Sequence, residues 1–182
     1  GRIFYANVLG TKMNILGKDF MVGVFRDITD RKKAEEALRA SEEQMRALID
    51  NISLGITYID KDHKVVLTNK AQAKMFDRSP VEFVGKYCFF EFEKRDAICP
   101  HCPGEIAMAT GRKAEVETFG IRDDKSRFMV HIDAFPFFKN DGKIAGFIEV
   151  VEDITERKRT EETLNKTEER NRQVLETAYS AY

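Results

Sequence analysis

Residues 25–50 read FRDITDRKKAEEALRASEEQMRALID, and residues 151–176 read VEDITERKRTEETLNKTEERNRQVLE. The two stretches start at Phe25 and Val151, 126 positions apart, and share D-I-T, R-K, E-E, L, E-E and R in register. A repeat of that period is a unit of domain size beginning again. In both copies strand-like residues run straight into D-I-T, FMVGVF in the first and IAGFIEVV in the second. Asp27 and Asp153, or Thr29 and Thr155, place a side-chain oxygen where it caps free N–H groups of a starting helix. An acidic residue three positions after each Asp suits the positive helix end.

The segments after the caps are expected to be helices. Ala34, Leu38, Ser41, Met45, Leu48 and Ile52 alternate spacings of four and three, which is the seam of a coiled coil. Thr160, Leu164, Thr167, Asn171, Val174 and Ala178 repeat that phase with a more polar seam. Glu35–Arg39, Glu42–Arg46, Glu162–Lys166 and Glu168–Arg172 are i,i+4 pairs in the favourable direction. The expected partner is a second copy of the chain, joined through parallel helices. A single amphipathic helix packed on its own domain is the alternative.

Bulk composition narrows the function classes. Among 182 residues, 30 Lys and Arg face 31 Asp and Glu, a net charge of −1. That balance gives no general electrostatic reason to bind nucleic acid or an acidic membrane. No apolar run approaches the ~18 residues of a membrane span. Three cysteines are an odd number and argue against a secreted disulfide framework, so a cytoplasmic location is expected. The start GRIFYANVLG lacks an initiator methionine and is strand-like, and we read the chain as part of a longer protein.

Between the two helices, Ile56, Tyr58, the turn Asp60-Lys61-Asp62, and Val65, Val66 and Leu67 read as a β-hairpin. Asn69 is placed to cap a short helix, Ser79-Pro80 starts a second helical turn, and GEIAMATG is a third, closed by Gly111. AEVETFGIR, SRFMVHIDAFPFF and KIAGFIEVVEDIT read as three strands, the last two joined by a turn at Asn140-Asp141-Gly142. Phe128, Val130 and Ile132 share one face of the middle strand; Met129, His131 and Asp133 share the other.

Two strands, short helices, three strands and an exit helix ending in D-I-T-x-R-K together resemble the PAS domain. The resemblance implies an α+β fold, a five-stranded antiparallel sheet with short helices over one face, enclosing a pocket and flanked by long helical connectors. The implied organisation is residues 1–29 as the last strands of a preceding PAS domain and 30–52 as a coiled-coil connector. Residues 53–155 form one complete PAS domain, and 156–182 connect to a following domain. It also implies a sensory and dimerising role upstream of an output domain in the same chain, most often a histidine kinase. Asp153, Thr155 and Arg157 of the D-I-T-x-R ending would relay the signal. No catalytic signature is present, so this stretch is expected not to be an enzyme.

The ligand is left open by the residues. Phe83, Phe89, Phe92, Phe119 and Phe128 would line a cavity, or else fill the core. Flavin chemistry is disfavoured, because YCFFEFEKRD does not match the N-C-R-F-L-Q context of photosensory PAS domains. Haem is disfavoured because GEIAMATG has no histidine, and Met108 reads as a core residue. His63 lies in a polar turn and is expected to be solvated.

The cysteines are the sharpest feature. Cys88, Cys99 and Cys102 fall within fifteen positions, and Cys99-x-x-Cys102-Pro103 puts two thiols on a tight loop. Cys102 is expected at a helix N-terminus near Lys94, Arg95 and His101, features that favour thiolate. Zinc or an iron–sulfur cluster on Cys88, Cys99 and Cys102 is one reading, with His131, a partner chain or an exogenous group as the fourth ligand. Thiol–disulfide sensing and a purely structural loop are the others. A structural dimerisation spacer with a filled core, and a thiol–disulfide oxidoreductase using Cys99 and Cys102, stand as rival functions.

Overall fold

A computed structural model describes residues 4–180. The chain forms two compact units that divide between Leu48 and Ile49. In the first unit, β1 (Ala6–Ile15) and β2 (Lys18–Asp27) pair antiparallel as a hairpin. Leu16 and Gly17 at its tip have positive φ, and the Asn14 side chain bonds both Gly17 N and Asp19. Asp27 then caps α1 (Thr29–Asp50), its Oδ1 accepting the Thr29 N–H at 2.9 Å. The strands expose Val8, Leu9, Met21, Val24 and Phe25, a large apolar surface for a two-stranded ribbon.

The second unit holds a five-stranded sheet of order β4-β3-β7-β6-β5. Its strands are β3 (Gly55–Asp60), β4 (Val65–Thr68), β5 (Ala114–Ile121), β6 (Arg127–Phe138) and β7 (Ile144–Asp153), and every neighbouring pair is antiparallel. Alternation decides which side is covered. Ile59 of β3, Phe128 and Val130 of β6, and Phe147 and Val151 of β7 are buried under α2 (Lys70–Met75), α3 (Cys88–Glu93) and α4 (Pro103–Thr110). The sheet, the short helices and the strand faces of β6 follow the sequence expectation.

Local signals place each helix. Asn69 is buried and accepts from Gln72 N and Ile56 N while its amide donates to the carbonyls of Ile49 and Leu54. One side chain thus caps α2 and locks the start of β3. Pro103 occupies the first position of α4, and Gly111 closes it at φ 67°. Gly104 is required for close packing, because a Cβ there would overlap the Phe147 ring.

The final element, α5 (Thr155–Ser180), repeats the joint of α1. Asp153 Oδ1 accepts the Thr155 N–H at 2.9 Å, as Asp27 does for Thr29. The bonds to the neighbouring chain segment repeat as well. Ile28 N–H donates to Tyr5 O and Tyr5 N–H to Thr29 Oγ1; Ile154 N–H donates to Met129 O and Met129 N–H to Thr155 Oγ1.

The surface ion pairs of α1 differ from the expected set. Glu35 meets Arg31 and Lys32, and Arg39 meets Glu43. Each exposed carboxylate has cations on both sides of it, so the pair formed is a matter of rotamer. The side chains of Val174 and Ala178, and residues 181–182 of the expected connector, lie outside the described residues.

Candidate functional site

A cavity of about 50 Å³ opens between the inner face of the sheet and α2 and α3. By the roughly 10–15 Å³ that one water occupies on this measure, it holds a few waters or a small molecule. Phe89, Phe92, Phe119 and Phe128 line it, together with Phe76. Phe83 lies behind that wall, fully buried, with its ring against Phe76 and Phe92. All three cysteines reach the same cavity.

Four polar residues outside the expected set also line the cavity: Gln72, Glu93, Thr118 and Glu149. Glu149 had a legible signal. It shares the inward phase of β7 with Phe147 and Val151, and a carboxylate on a core-facing phase asks for a partner. Burial, with a smaller push from Glu93, raises its carboxyl to about 8. Gln72 is buried too, and its Oε1 has no hydrogen-bond partner among the described residues.

The cysteines are held as thiols, contrary to the expectation of thiolate. Burial is the main cause in each case, and it takes Cys99 to about 12 and Cys102 to about 11, with Cys88 higher still. Cys102 does occupy the position just before α4, where the N–H groups of Glu105 and Gly104 favour the thiolate, but burial and Glu149 outweigh them. The nearby cations are engaged elsewhere: Lys94 Nζ bonds Asp123, and Arg95 Nε bonds Glu93 at 2.7 Å.

The expected ligand set is also rearranged. Among the described residues, Glu93, Cys99 and His101 bring ligand atoms within 4.8 Å of one another, as do Glu115, His131 and Asp133. The three thiols form no such group. His131 points to the other face of the sheet, as the β6 alternation requires, with Nε2 3.3 Å from Asp133. His101 Nε2 bonds Glu93 Oε1 at 2.9 Å and Thr118 Oγ1 at 3.0 Å. Burial opposes ionisation of Glu93, but hydrogen bonds from His101 and Arg95 prevail and hold it below the usual carboxylate value.

His63 is not solvated. It is 4% exposed, packs edge-on against Phe147, and bonds Glu105 Oε1 through Nε2 at 2.6 Å. Its Nδ1 lies 3.8 Å from Cys88 Sγ. The reason is backbone conformation: His63 adopts φ 63°, which turns its side chain under α4 rather than out of the turn.

The D-I-T residues sit where β7 becomes α5. Ile154 is buried, Asp153 and Thr155 make the bonds given above, and Arg157 Nη2 lies 3.9 Å from Glu117 on β5. Lys158 makes the closer contact, 2.7 Å to the same carboxylate.

A family model for the PAS domain matches residues 53–156. The chain belongs to the PAS domain family. Its PAS domain is α+β, as the sheet and helices above display. Over 169 residues the chain is 30% identical to Sporulation kinase E of Bacillus subtilis, which covers 91% of this chain and 22% of the kinase. The chain therefore spans about a fifth of that relative's length. Among solved structures, an RNA-binding light-oxygen-voltage receptor matches with a TM-score of 0.58 at 21% identity, over 72% of this chain and 38% of that one. A PAS domain from Colwellia psychrerythraea matches with a TM-score of 0.56 at 16% identity, over 63% of this chain and 97% of that one. At such identities these structures establish the PAS fold and no ligand. No helix among the described residues is long and apolar enough to cross a membrane.

Proposed function

We propose that this chain is a sensory and dimerisation module whose cavity state is relayed through the D-I-T joint into α5, toward a histidine kinase output domain in the same protein. One observation carries the reading. Strand β7 lines the cavity with Glu149 and Val151 and, two residues later, becomes the Asp153-Ile154-Thr155 joint. Anything in the cavity that moves β7 therefore moves the cap of α5. The similarity to Sporulation kinase E supports the kinase assignment.

The repeated joint supports residues 1–29 as the end of a preceding PAS domain, 30–52 as a connector, 53–155 as the whole domain and 156–182 as the next connector. The exposed apolar residues of β1 and β2 are what such a fragment would bury. Pairing of two chains through α1 is supported by Leu38, Met45 and Leu48, each about 60% exposed on a helix with no buried residue. The signal is proposed to be a small ligand, a metal ion or the thiol redox state, read at the cavity that Cys88, Cys99 and Cys102 line. An oxidoreductase would need a thiolate, and the raised Cys99 and Cys102 thiols count against turnover.

Hydrogen exchange of residues 150–158 tests the relay, with the chain reduced, oxidised by a mild peroxide, or given zinc. A change in amide protection at Ile154 and Thr155 under at least one condition is expected. Identical protection in all three would leave the spacer reading in its place.

A further inference from the structure

We infer that Glu93, Cys99 and His101 form a site for a borderline divalent cation of the zinc type, with one coordination position open to the cavity. The donor atoms, a carboxylate oxygen, Sγ and an imidazole nitrogen, all lie within 4.8 Å of one another, and a bound ion would take Cys99 as thiolate, its thiol proton released to solvent.

The backbone builds this juxtaposition from residues that are apart in sequence. Lys94 adopts φ 53°, which ends α3 and turns the chain back just after Glu93. The loop then doubles on itself through the bond from Cys102 N–H to Cys99 O at 3.0 Å. Cys99 and His101, two apart on that tight loop, both present their donors to Glu93. The sequence pattern C-x-x-C suggested that Cys99 works with Cys102; the fold gives it to His101 instead.

The spacing suits the ion. Zinc takes oxygen and nitrogen ligands at about 2.0–2.2 Å and thiolate sulfur at about 2.3 Å, so tetrahedral donors stand roughly 3.3–3.6 Å apart. His101 Nε2 and Glu93 Oε1 stand 2.9 Å apart and hydrogen-bonded, and an ion entering between them would replace that bond. Arg95 Nε holds Glu93 Oε2 at 2.7 Å, which leaves Oε1 to the ion and orients the carboxylate. Partners of this kind fix a ligand's orientation in known metal centres. One sulfur, one nitrogen and one oxygen exclude the all-oxygen preference of calcium and magnesium and the all-thiolate preference of an iron–sulfur cluster.

Three protein ligands are one fewer than a closed structural site has. Glu93, Cys99 and Thr118 also line the cavity, so the fourth position faces into it. Water or a donor atom of a small molecule would take that place. The site itself stands on the geometry above; only its use as a sensor rests on the proposed function.

Titration of the chain with Zn²⁺, and with Co²⁺ as a spectroscopic stand-in, under anaerobic reducing conditions tests the inference. One equivalent of each is expected to bind, and Co²⁺ should show tetrahedral d–d bands with charge transfer from a single thiolate. Glu93→Gln, Cys99→Ser and His101→Gln should each weaken zinc binding at least about tenfold, whereas Cys88→Ala and Cys102→Ser should not. His101 is partly exposed on a loop, so H101Q keeps the test valid if C99S fails to fold. No binding, or binding unchanged by E93Q and H101Q, would overturn the site. A multi-thiolate spectrum lost in C88A and C102S would also overturn it, while leaving thiol-based sensing standing. The expected binding pattern with no zinc-dependent change in exchange at residues 150–158 would support the site and count against the relay.

Discussion

The backbone N–H of Met129 donates to Thr155 Oγ1 at 2.9 Å, which ties the first turn of α5 to β6. Thr29 makes the same bond to Tyr5 at 3.0 Å in the first unit. The joint is thus a three-way clamp. Asp153 caps the helix, Thr155 grips the neighbouring strand, and Ile154 is buried between them.

Thr155→Val keeps the shape and removes the acceptor for Met129. A lost hydrogen bond of this kind costs about 1 kcal/mol. The thermal midpoint of the chain should fall by roughly 2–4 °C, and exchange at Met129 and Thr155 should rise. Thr155→Ser should restore most of both. An unchanged exchange pattern in T155V would remove the clamp from the account of the joint.

Glu149 makes stability depend on pH. Its carboxyl is raised from 4.5 to about 8 by burial, so the unfolded chain releases that proton earlier than the folded one. The group therefore costs nothing below pH 4.5. Its penalty grows as pH rises toward 8 and is constant above, with a slope of at most about 1.4 kcal/mol per pH unit. Glu149→Gln should leave stability unchanged near pH 4 and raise it above wild type by pH 8–9. Urea unfolding at several pH values checks this; a constant difference across the range would show that Glu149 titrates normally.

Arg78 and Glu91 form a partly buried pair, with Nη1 to Oε2 at 2.5 Å, and Arg78 also covers the Phe83 ring. The Glu91 side chain is 6% exposed, so Arg78→Met would strand a desolvated charge, with only Lys86 at 3.7 Å to meet it. Breaking a fully buried pair from one side costs about 3–5 kcal/mol, and this partly buried one should cost less. The double variant R78M/E91L should recover most of that loss in chemical denaturation. If the double is as weak as the single, the loss belongs to packing on Phe83 and not to the stranded charge.

Leu38 and Leu48 are 62% and 60% exposed. Changing both to Asp should leave the melting of the PAS domain unaltered and abolish self-association in sedimentation velocity. Each buried leucine is worth about 1.5–3 kcal/mol at such a seam. A wild-type chain that stays monomeric at high concentration would argue against pairing through α1.

The amino-acid sequence determined whatever depends on near neighbours. The D-I-T caps, Asn69 before α2, Pro103 and Gly111 at the ends of α4, and the inward phase of Phe128 and Val130 all follow from spacing and local capping. Each of those signals operates within a turn or two of chain. The site is another matter, because its residues meet only through long-range register. The alternation of β7 turns Glu149 inward, but the cavity it meets there is assembled with Cys88, Glu93 and Phe128 from distant parts of the chain. His63 reaches Cys88 and Glu105 because a left-handed residue reverses a side chain that the turn pattern placed in solvent. Cys99 joins Glu93 and His101 because Lys94 turns the chain back at the end of α3. Backbone reversals of one residue are nearly silent in sequence when the residue is His or Lys, yet they redirect whole side chains, and burial then decides their chemistry.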